Sequence, residues 1–366
     1  MQARDKMRYI TQLLRNGLLS INALVALLLI CSAYSPHFSP YTFPVGSCLG
    51  LFFPVCLLLN LLFLVIWLFV YRRYILFPIL VLLVCSGAIR SYFPINGWGK
   101  EPSEESLKIL SYNTRAFGLK ARHTKEKANE VLAYLQGSDA DIICLQEYIW
   151  GDKLKKKDID YALRKYKYKH YQPLGKGLNG LGIYSRYPIL SATPIIYKSN
   201  RNGSIAYRVR VKNDTLLIIN NHLESNKILE SDVEAYHDMV DSPSGKKLLA
   251  GTRKLLQKMA DATRIRAAQA DTLLKYIQRA TDEHIIVCGD LNDTPVSYTY
   301  HTFRRELKDA FAESGNGLGI TYNQHRLYFR IDHIFVSKHL EIDDCAVDNS
   351  IKASDHYPVV CNISLK

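Results

Sequence analysis

The chain has 366 residues and a formal net charge of +13, from 47 Lys and Arg against 34 Asp and Glu, and it is too long for one average domain. Residues 1–100 hold eight of the basic residues and a single acid, Asp5, leaving 39 basic and 33 acidic residues in the other 266; so modest an excess argues against a dedicated nucleic-acid binder and fits a phosphate-handling surface or one near anionic lipid. The eight cysteines include no C-x-x-C pair, which excludes the usual zinc spacings and predicts free thiols, with a Cys345–Cys361 disulfide as the alternative.

Residues 1–94 read as a membrane anchor with helices at 17–34, 46–71 and 74–94. The first two stretches reach the roughly 20 residues that cross a bilayer. The third contains Pro78 and spans only with Tyr92 and Phe93 included, so a re-entrant hairpin is its rival. Arg4, Lys6, Arg8 and Arg15 precede the first stretch, residues 35–43 have no Lys or Arg, and Arg72 with Arg73 follows the second. That is a positive-inside pattern. Three crossings put residue 95 onward outside the cytoplasm, whereas two would leave it inside. Arg90 suits the outer interface, its stem in the apolar layer and its head in water.

A linker at 95–106 leads into a unit at 107–366 in which short apolar runs alternate with helical patterns. Strands are predicted at Leu107–Tyr112, Ile142–Leu145, Gly182–Ser185, Ile205–Val211, Thr215–Asn220, His284–Cys288, His333–Val336 and Val359–Ile363, most of them rich in β-branched or aromatic residues. Helices are predicted at Lys125–Leu135, Asp158–Arg164 and Gly251–Arg279, the last with Leu255, Met259, Ala262, Ile265 and Ala268 near one face. The fold class is α/β.

Polar residues follow the apolar run of strand after strand, where α/β proteins place their ligands. Asn113, Glu147, the Asn220-Asn-His222 triplet, Gly289-Asp290-Leu-Asn292, Asp332 and Ser354-Asp355-His356 supply four carboxylates, amides and two imidazoles. Such a set suits Mg²⁺ or Mn²⁺ and disfavours soft metals. The chemistry it serves is phosphoester cleavage, with the metal polarising a phosphoryl oxygen and an acid or imidazole activating water. Gln146 and His333 adjoin these residues and are read as supporting groups, and Asp293 as a cap for the Thr294-Pro295 turn.

In order and identity these motifs resemble the endonuclease/exonuclease/phosphatase superfamily, which includes pancreatic deoxyribonuclease, abasic-site endonucleases, neutral sphingomyelinases and inositol polyphosphate phosphatases. The resemblance spans about residues 105–366 and implies a four-layer sandwich of two mixed β-sheets flanked by helices. It also implies roles: Asn113 and Glu147 at the metal with Asp355 nearby, His222 donating to the scissile phosphate, Asp290 and Asn292 positioning the attacking water and holding phosphate or a second metal, and His356 oriented by Asp332. Whether Asp290 or His356 takes the water's proton stays open.

Two segments between motifs are candidates for specificity. Lys153–Lys157 with Arg164–His170 interleaves basic residues and tyrosines, reading either as a binding surface for phosphate-rich substrate or lipid headgroups or as a solvated helix over a tyrosine strand. The stretch from Glu224 to Arg253 is long for a connection and reads as a substrate-shaping element or an insertion without structure. The expected protein is a membrane-anchored, metal-dependent phosphodiesterase or phosphatase with the lipid bilayer as its setting. Its phosphoester substrate is a lipid headgroup, an inositol phosphate or nucleic acid. An extracytoplasmic nuclease and an inactive tethered binding module are the alternatives.

Overall fold

A computed structural model describes residues 2–97, 100, 103, 105–119, 122–124, 126–175, 179–226, 245–282, 284–324 and 327–365. Its N-terminal part is helical. Helix α1 (Gln2–Ala33) is followed by a short α2 (Pro44–Ser47), then α3 (Phe53–Phe69), α4 (Leu76–Val84) and α5 (Ser86–Tyr92). Two helical stretches, Arg4–Ala33 and Pro44–Phe69, are long and apolar enough to cross a membrane. The third apolar stretch is a pair bent by 64°. The bend sits at Cys85, whose φ of −91° and ψ of 5° leave the helix just before Ser86-Gly87, the kind of small-residue pair at which helices kink.

The bundle has a packed interior. Leu29, Phe53 and Trp67 are buried, and the Trp67 indole N–H donates to Asn22 Oδ1 at 2.7 Å. Outward-facing residues such as Leu24, Leu58, Leu62 and Leu83 are exposed, the distribution expected where the surroundings are themselves apolar.

The rest of the chain builds two six-stranded sheets. The first has the order β13 (Glu341–Val347), β14 (Val359–Ser364), β1 (Leu107–Asn113), β2 (Ile142–Gln146), β4 (Asn179–Ser185), β3 (Tyr168–Leu174). The second runs β5 (Ile189–Ile195), β6 (Gly203–Val211), β7 (Asp214–His222), β8 (His284–Asp290), β12 (Asp332–Ser337), β9 (Leu307–Asp309). Each is mixed, with β1·β2 and β7·β8 as its parallel pair. A hairpin of β10 (Tyr322–Gln324) and β11 (Leu327–Phe329) stands apart. Helices α6 (Glu130–Gly137) and α7 (Lys156–Ala162) cover the outer face of the first sheet, and α8 (Gly245–Arg279) with α9 (Tyr298–Arg304) covers the second. A short α10 (Ala310–Ser314) follows β9. The result is the expected four-layer sandwich.

Strand parity explains the layers, because successive side chains in a strand point to opposite faces. Ile109, Ile142, Cys144, Leu216, Ile218, Ile286, Cys288, Ile334 and Val336 fill the space between the sheets. Their neighbours Leu110, Ile143 and Leu145 pack under α6 and α7, and Leu217, Ile219, Ile285, Val287 and Phe335 under α8 and α9. All eight cysteines are unbonded, including Cys345 and Cys361, which face each other across β13 and β14.

The same parity carries polar residues between the sheets at one end. The Gln146 side-chain amide donates to Asn220 Oδ1 at 2.7 Å, and Asn220 donates to the carbonyls of Leu145 and Gly182, each at 3.1 Å. These bonds join the two sheets through groups that are fully buried. Asn220→Leu, which removes all three of these buried bonds, is expected to lower stability by about 3 kcal/mol, measured as a shift of the urea midpoint of the full-length protein in detergent.

Candidate active site

The sheets end together at the C-terminal tips of β1, β2, β7 and β8. Asn113, Asp290 and Asp332 continue the inward parity of their strands, so each strand that fills the core also aims the residue at its cleft end, last in β1 and β8 and first in β12, into the cleft. Glu147 lies one residue beyond β2 with a φ of +46°, and Asn292 has a φ of +52°. Left-handed backbone at non-glycine residues is strained and persists where surrounding contacts hold it. Arg115, Ala116, Phe117 and Leu119 also have positive φ, forming a left-handed turn directly after Asn113.

Asn113 sits between two carboxylates. Its Nδ2 donates to Asp290 Oδ2 at 3.0 Å and lies 3.4 Å from Glu147 Oε1. His222 Nε2 faces the same acids, 3.6 Å from Asp290 Oδ2 and 3.9 Å from Glu147 Oε1. His356 completes the ring, with Nε2 3.8 Å from Asp290 Oδ2 and Nδ1 2.8 Å from Asp332 Oδ2. Asn292 returns its own N–H to Asp290 Oδ1 at 2.8 Å and its side-chain amide to Leu223 O at 3.0 Å. Seven of the eight expected residues thus form one connected network.

Asp355 lies at its rim. Its Oδ2 is 3.3 Å from Arg115 Nε and its Oδ1 accepts from Ser354 Oγ at 3.3 Å, so both oxygens are already engaged.

Electrostatics follow from burial and crowding. Burial raises the Asp290 carboxyl, the Asp332 charge adds to that, and the two imidazoles oppose it, with a net upward shift. Burial alone would lower His356, but the Asp332 and Asp290 carboxylates outweigh it and raise the imidazole to about 10.

Oxygen donors dominate the cleft, as a hard dication requires. Asp332 Oδ1 is buried without a hydrogen-bond partner, and Glu147 is partly exposed at the mouth. Among the described residues, Asp290, Asp332 and His356 bring ligand atoms within 4.8 Å of one another. That group shares only Asp290 with the ligand set expected from sequence, because Asp332 and His356 are there expected to work as an orienting pair. The Asp332–His356 hydrogen bond favours the orienting role, since it already occupies Nδ1 of the ring.

Two contributors escape a reading of sequence. Asn179 Nδ2 lies 2.9 Å from His222 Nδ1 and donates to Arg201 O, while its Oδ1 accepts from Gly180 N. Those backbone bonds fix the amide, so Nδ1 of the neutral ring must accept and the proton sits on Nε2, facing the acids. An Asn-Gly pair reads as a turn, which hides the strand residue. Arg266, the second, is 1% exposed on α8 and binds Asp293, Glu224 O, Asn226 and Thr263. It ties the segment after His222 to the segment after Asn292. His333 points the other way, its Nε2 on Asp293 O and its ring against Tyr300, and Asp293 Oδ1 accepts from Thr294 N.

The two candidate specificity segments separate. Lys156 and Lys169 are spent on Asp160, and Tyr168 pairs with Ser185 at the end of the sheet away from the cleft. Residues 227–244 of the long connection lie outside the described residues, and from Gly245 the chain is helix α8.

Residues 110–356 match the Endonuclease/Exonuclease/phosphatase family, and residues 15–92 match a domain of unknown function. A comparison with curated proteins finds no match. Among solved structures the chain is similar to D. rerio TDP2 complexed with single strand DNA product, at 17% identity over 72% of this chain and 100% of that one, with a TM-score of 0.51. It is also similar to the human Nocturnin catalytic domain with bound sulfate (19% identity, 73% and 97% covered, TM-score 0.48). A family protein from Leptotrichia buccalis gives 15% identity, 71% and 100% coverage and a TM-score of 0.49.

Asn179→Leu is expected to unlock the tautomer of His222, read as a shift of its ring-nitrogen NMR signals toward a mixture. Groups that orient an imidazole in this way typically matter by about ten- to a hundredfold in activity or metal affinity.

Proposed function

The chain belongs to the Endonuclease/Exonuclease/phosphatase family, and from that premise we propose that it is a membrane-anchored, divalent-metal-dependent phosphoester hydrolase. The observation that carries this reading is the joining of Asn113, Glu147, His222, Asp290 and His356 by contacts of 3.0 to 3.9 Å from two different sheets. Such a convergence has no structural purpose that apolar residues would not serve better.

Glu147 and Asp290 would hold Mg²⁺ or Mn²⁺, with Asn113, whose Nδ2 faces both carboxylates, orienting them. When bound, the ion polarises the phosphoryl oxygen and offsets the charge that develops on it. His222, its proton held on Nε2 by Asn179, donates to a phosphoryl oxygen. Asn292 fixes Asp290 through Oδ1, leaving Oδ2 turned toward the two imidazoles. The attacking water gives its proton to the Asp290–His356 pair, which titrates as a unit because its members face each other at 3.8 Å. Asp332 holds His356 in place through Nδ1.

Anchoring rests on α1 and α3 as spans and on α4–α5 as a bent third. The segment between the first two spans touches the catalytic unit, Tyr41 OH donating to Asp271 Oδ2 at 2.6 Å, and so does Asn96 beyond the third, through Ala312 O and Gly315 O. Both segments therefore lie on one side, which supports a catalytic domain opposite Arg72 and Arg73 and hence outside the cytoplasm. A cysteine introduced at exposed Asn213, in the β6–β7 turn away from the cleft, is expected to react with a membrane-impermeant maleimide in intact cells, and one at Arg72 only after lysis.

Purified full-length protein is expected to hydrolyse bis(p-nitrophenyl) phosphate with Mg²⁺ or Mn²⁺ and to stop with excess chelator. Glu147→Ala and His356→Ala should each lower the rate by about a hundredfold or more while circular dichroism stays unchanged. Wild-type rates in either variant would refute the assignment.

A further inference from the structure

Two of the contacts between anchor and catalytic unit, at Val296 and at Arg330, fall beside the cleft. Beyond Asp290 the chain reaches Val296, which is 1% exposed and packs in the core of the helical bundle with Ala26, Leu29, Phe53, Val81 and Tyr92. Ser35 Oγ donates to Val296 O at 3.4 Å. Gly50 presses against the same carbonyl so closely that a Cβ there would lie 1.8 Å from it. On the other flank Arg330, two residues before Asp332, donates from Nη2 to Ser91 O and lies over the Phe311 ring at 4.5 Å. Gly317 N donates to Pro94 O at 2.9 Å. At no more than about 3.5 Å per residue, Arg330 lies within roughly 7 Å of Asp332 along the chain.

Helix α8 gives the same direction. Its 35 residues span about 50 Å, whereas the seven of β8 span about 23 Å. The N-terminal half therefore runs past the cleft edge, where Leu255, Met259 and Ala260 pack on Cys48 and Leu51. Arg253 and Lys254 are exposed on that overhang. Around the cleft the loops present exposed apolar side chains: Leu119 after β1, Ile196 after β5, Leu318, and Tyr328 on the β10–β11 hairpin that pairs with His356.

Granting the hydrolase reading, we infer that the substrate is a phosphoester displayed on the bilayer that holds the anchor, a lipid-borne phosphate whose headgroup enters a cleft facing the membrane. Apolar rim residues rest in the interface, basic residues of the α8 overhang meet anionic headgroups, and lateral diffusion delivers substrate at the high effective concentration that tethering creates. A nucleic acid would have to enter between this edge and an anionic surface, where like charge repels it.

The test uses full-length protein reconstituted, with Mg²⁺ or Mn²⁺, in vesicles of phosphatidylcholine, phosphatidylglycerol and phosphatidic acid. It is compared on the deacylated esters of the same headgroups, on single-stranded DNA and on bis(p-nitrophenyl) phosphate. Hydrolysis of vesicle esters on the order of a hundredfold faster than their deacylated counterparts is expected. Leu318→Asp combined with Tyr328→Asp should remove most of that advantage and leave the chromogenic rate unchanged. Chelator-sensitive cleavage of the chromogenic ester with deacylated esters or DNA cleaved as fast as vesicle lipid would overturn the lipid assignment and leave the hydrolase standing. No chelator-sensitive cleavage of any of these substrates would overturn both.

Discussion

Everything at the cleft depends on two sheets being held in one register at one end. The first sheet contributes Asn113, Glu147 and His356, and the second His222, Asp290 and Asp332. Apolar packing between sheets is non-directional and tolerates sliding, so it cannot by itself hold an amide 3.0 Å from a carboxylate on the facing sheet. The Gln146–Asn220 bond and the two carbonyl bonds of Asn220 supply the missing direction. Directed bonds between buried groups are costly to leave unmade, and a slip of one residue would break all three at once. Within the second sheet, Asn221 donates to the carbonyls of Ile219 and Cys288, while Gly289 at φ +125° lets β8 approach Asn221 where a Cβ would meet its carbonyl at 2.1 Å. Cleft geometry is thus inherited from the core beneath it.

Strain at the mouth follows from the same arrangement. Glu147, Asn292 and the Arg115 turn hold positive φ, at a cost of order 1–3 kcal/mol each. The bonds that offset this are local: Arg115 N on Asn113 Oδ1, Ala116 N on Glu147 O, Thr114 Oγ1 on Glu147 O, and Asn292 N on Asp290 Oδ1. Each links one strained residue to a neighbouring cleft residue, so the strained conformations support one another. Arg115 adds a cation that neutralises Asp355 and lets a carboxylate-rich mouth exist.

Central strands were legible in sequence because both of their faces are buried, and they read as continuous apolar runs ending in a polar residue. All eight predicted strands exist, with ends one to three residues longer than expected. Edge strands were not legible. β3 and β5 are half-exposed and contain Pro173 and Pro194, and β13 mixes acids with apolar residues, since one face or one edge of each meets water. Asn113, His222 and Asp290 were legible for the same reason as the central strands, being their last inward-facing positions, while Glu147, Asn292, Asp332, Asp355 and His356 stand at or just beyond strand ends. Asn179 and Arg266 were not, because their roles are set by partners 43 and 27 residues away that no local pattern announces.

The helical bundle and the sandwich pack against each other on both sides of residues 95–106. Val296 belongs to the apolar core of the bundle, and Leu255, Met259 and Ala260 cover Cys48. Separating the halves would bare these residues. It would also strip the Ser91 carbonyl from Arg330, whose Nε and Nη1 already lack partners in a side chain 2% exposed. A buried guanidinium left without a hydrogen bond is costly, and this one lies two residues from Asp332 in the chain. The physical unit is therefore helical bundle and sandwich together. The shared interface runs through the turn that follows Asp290 and the strand entry that precedes Asp332.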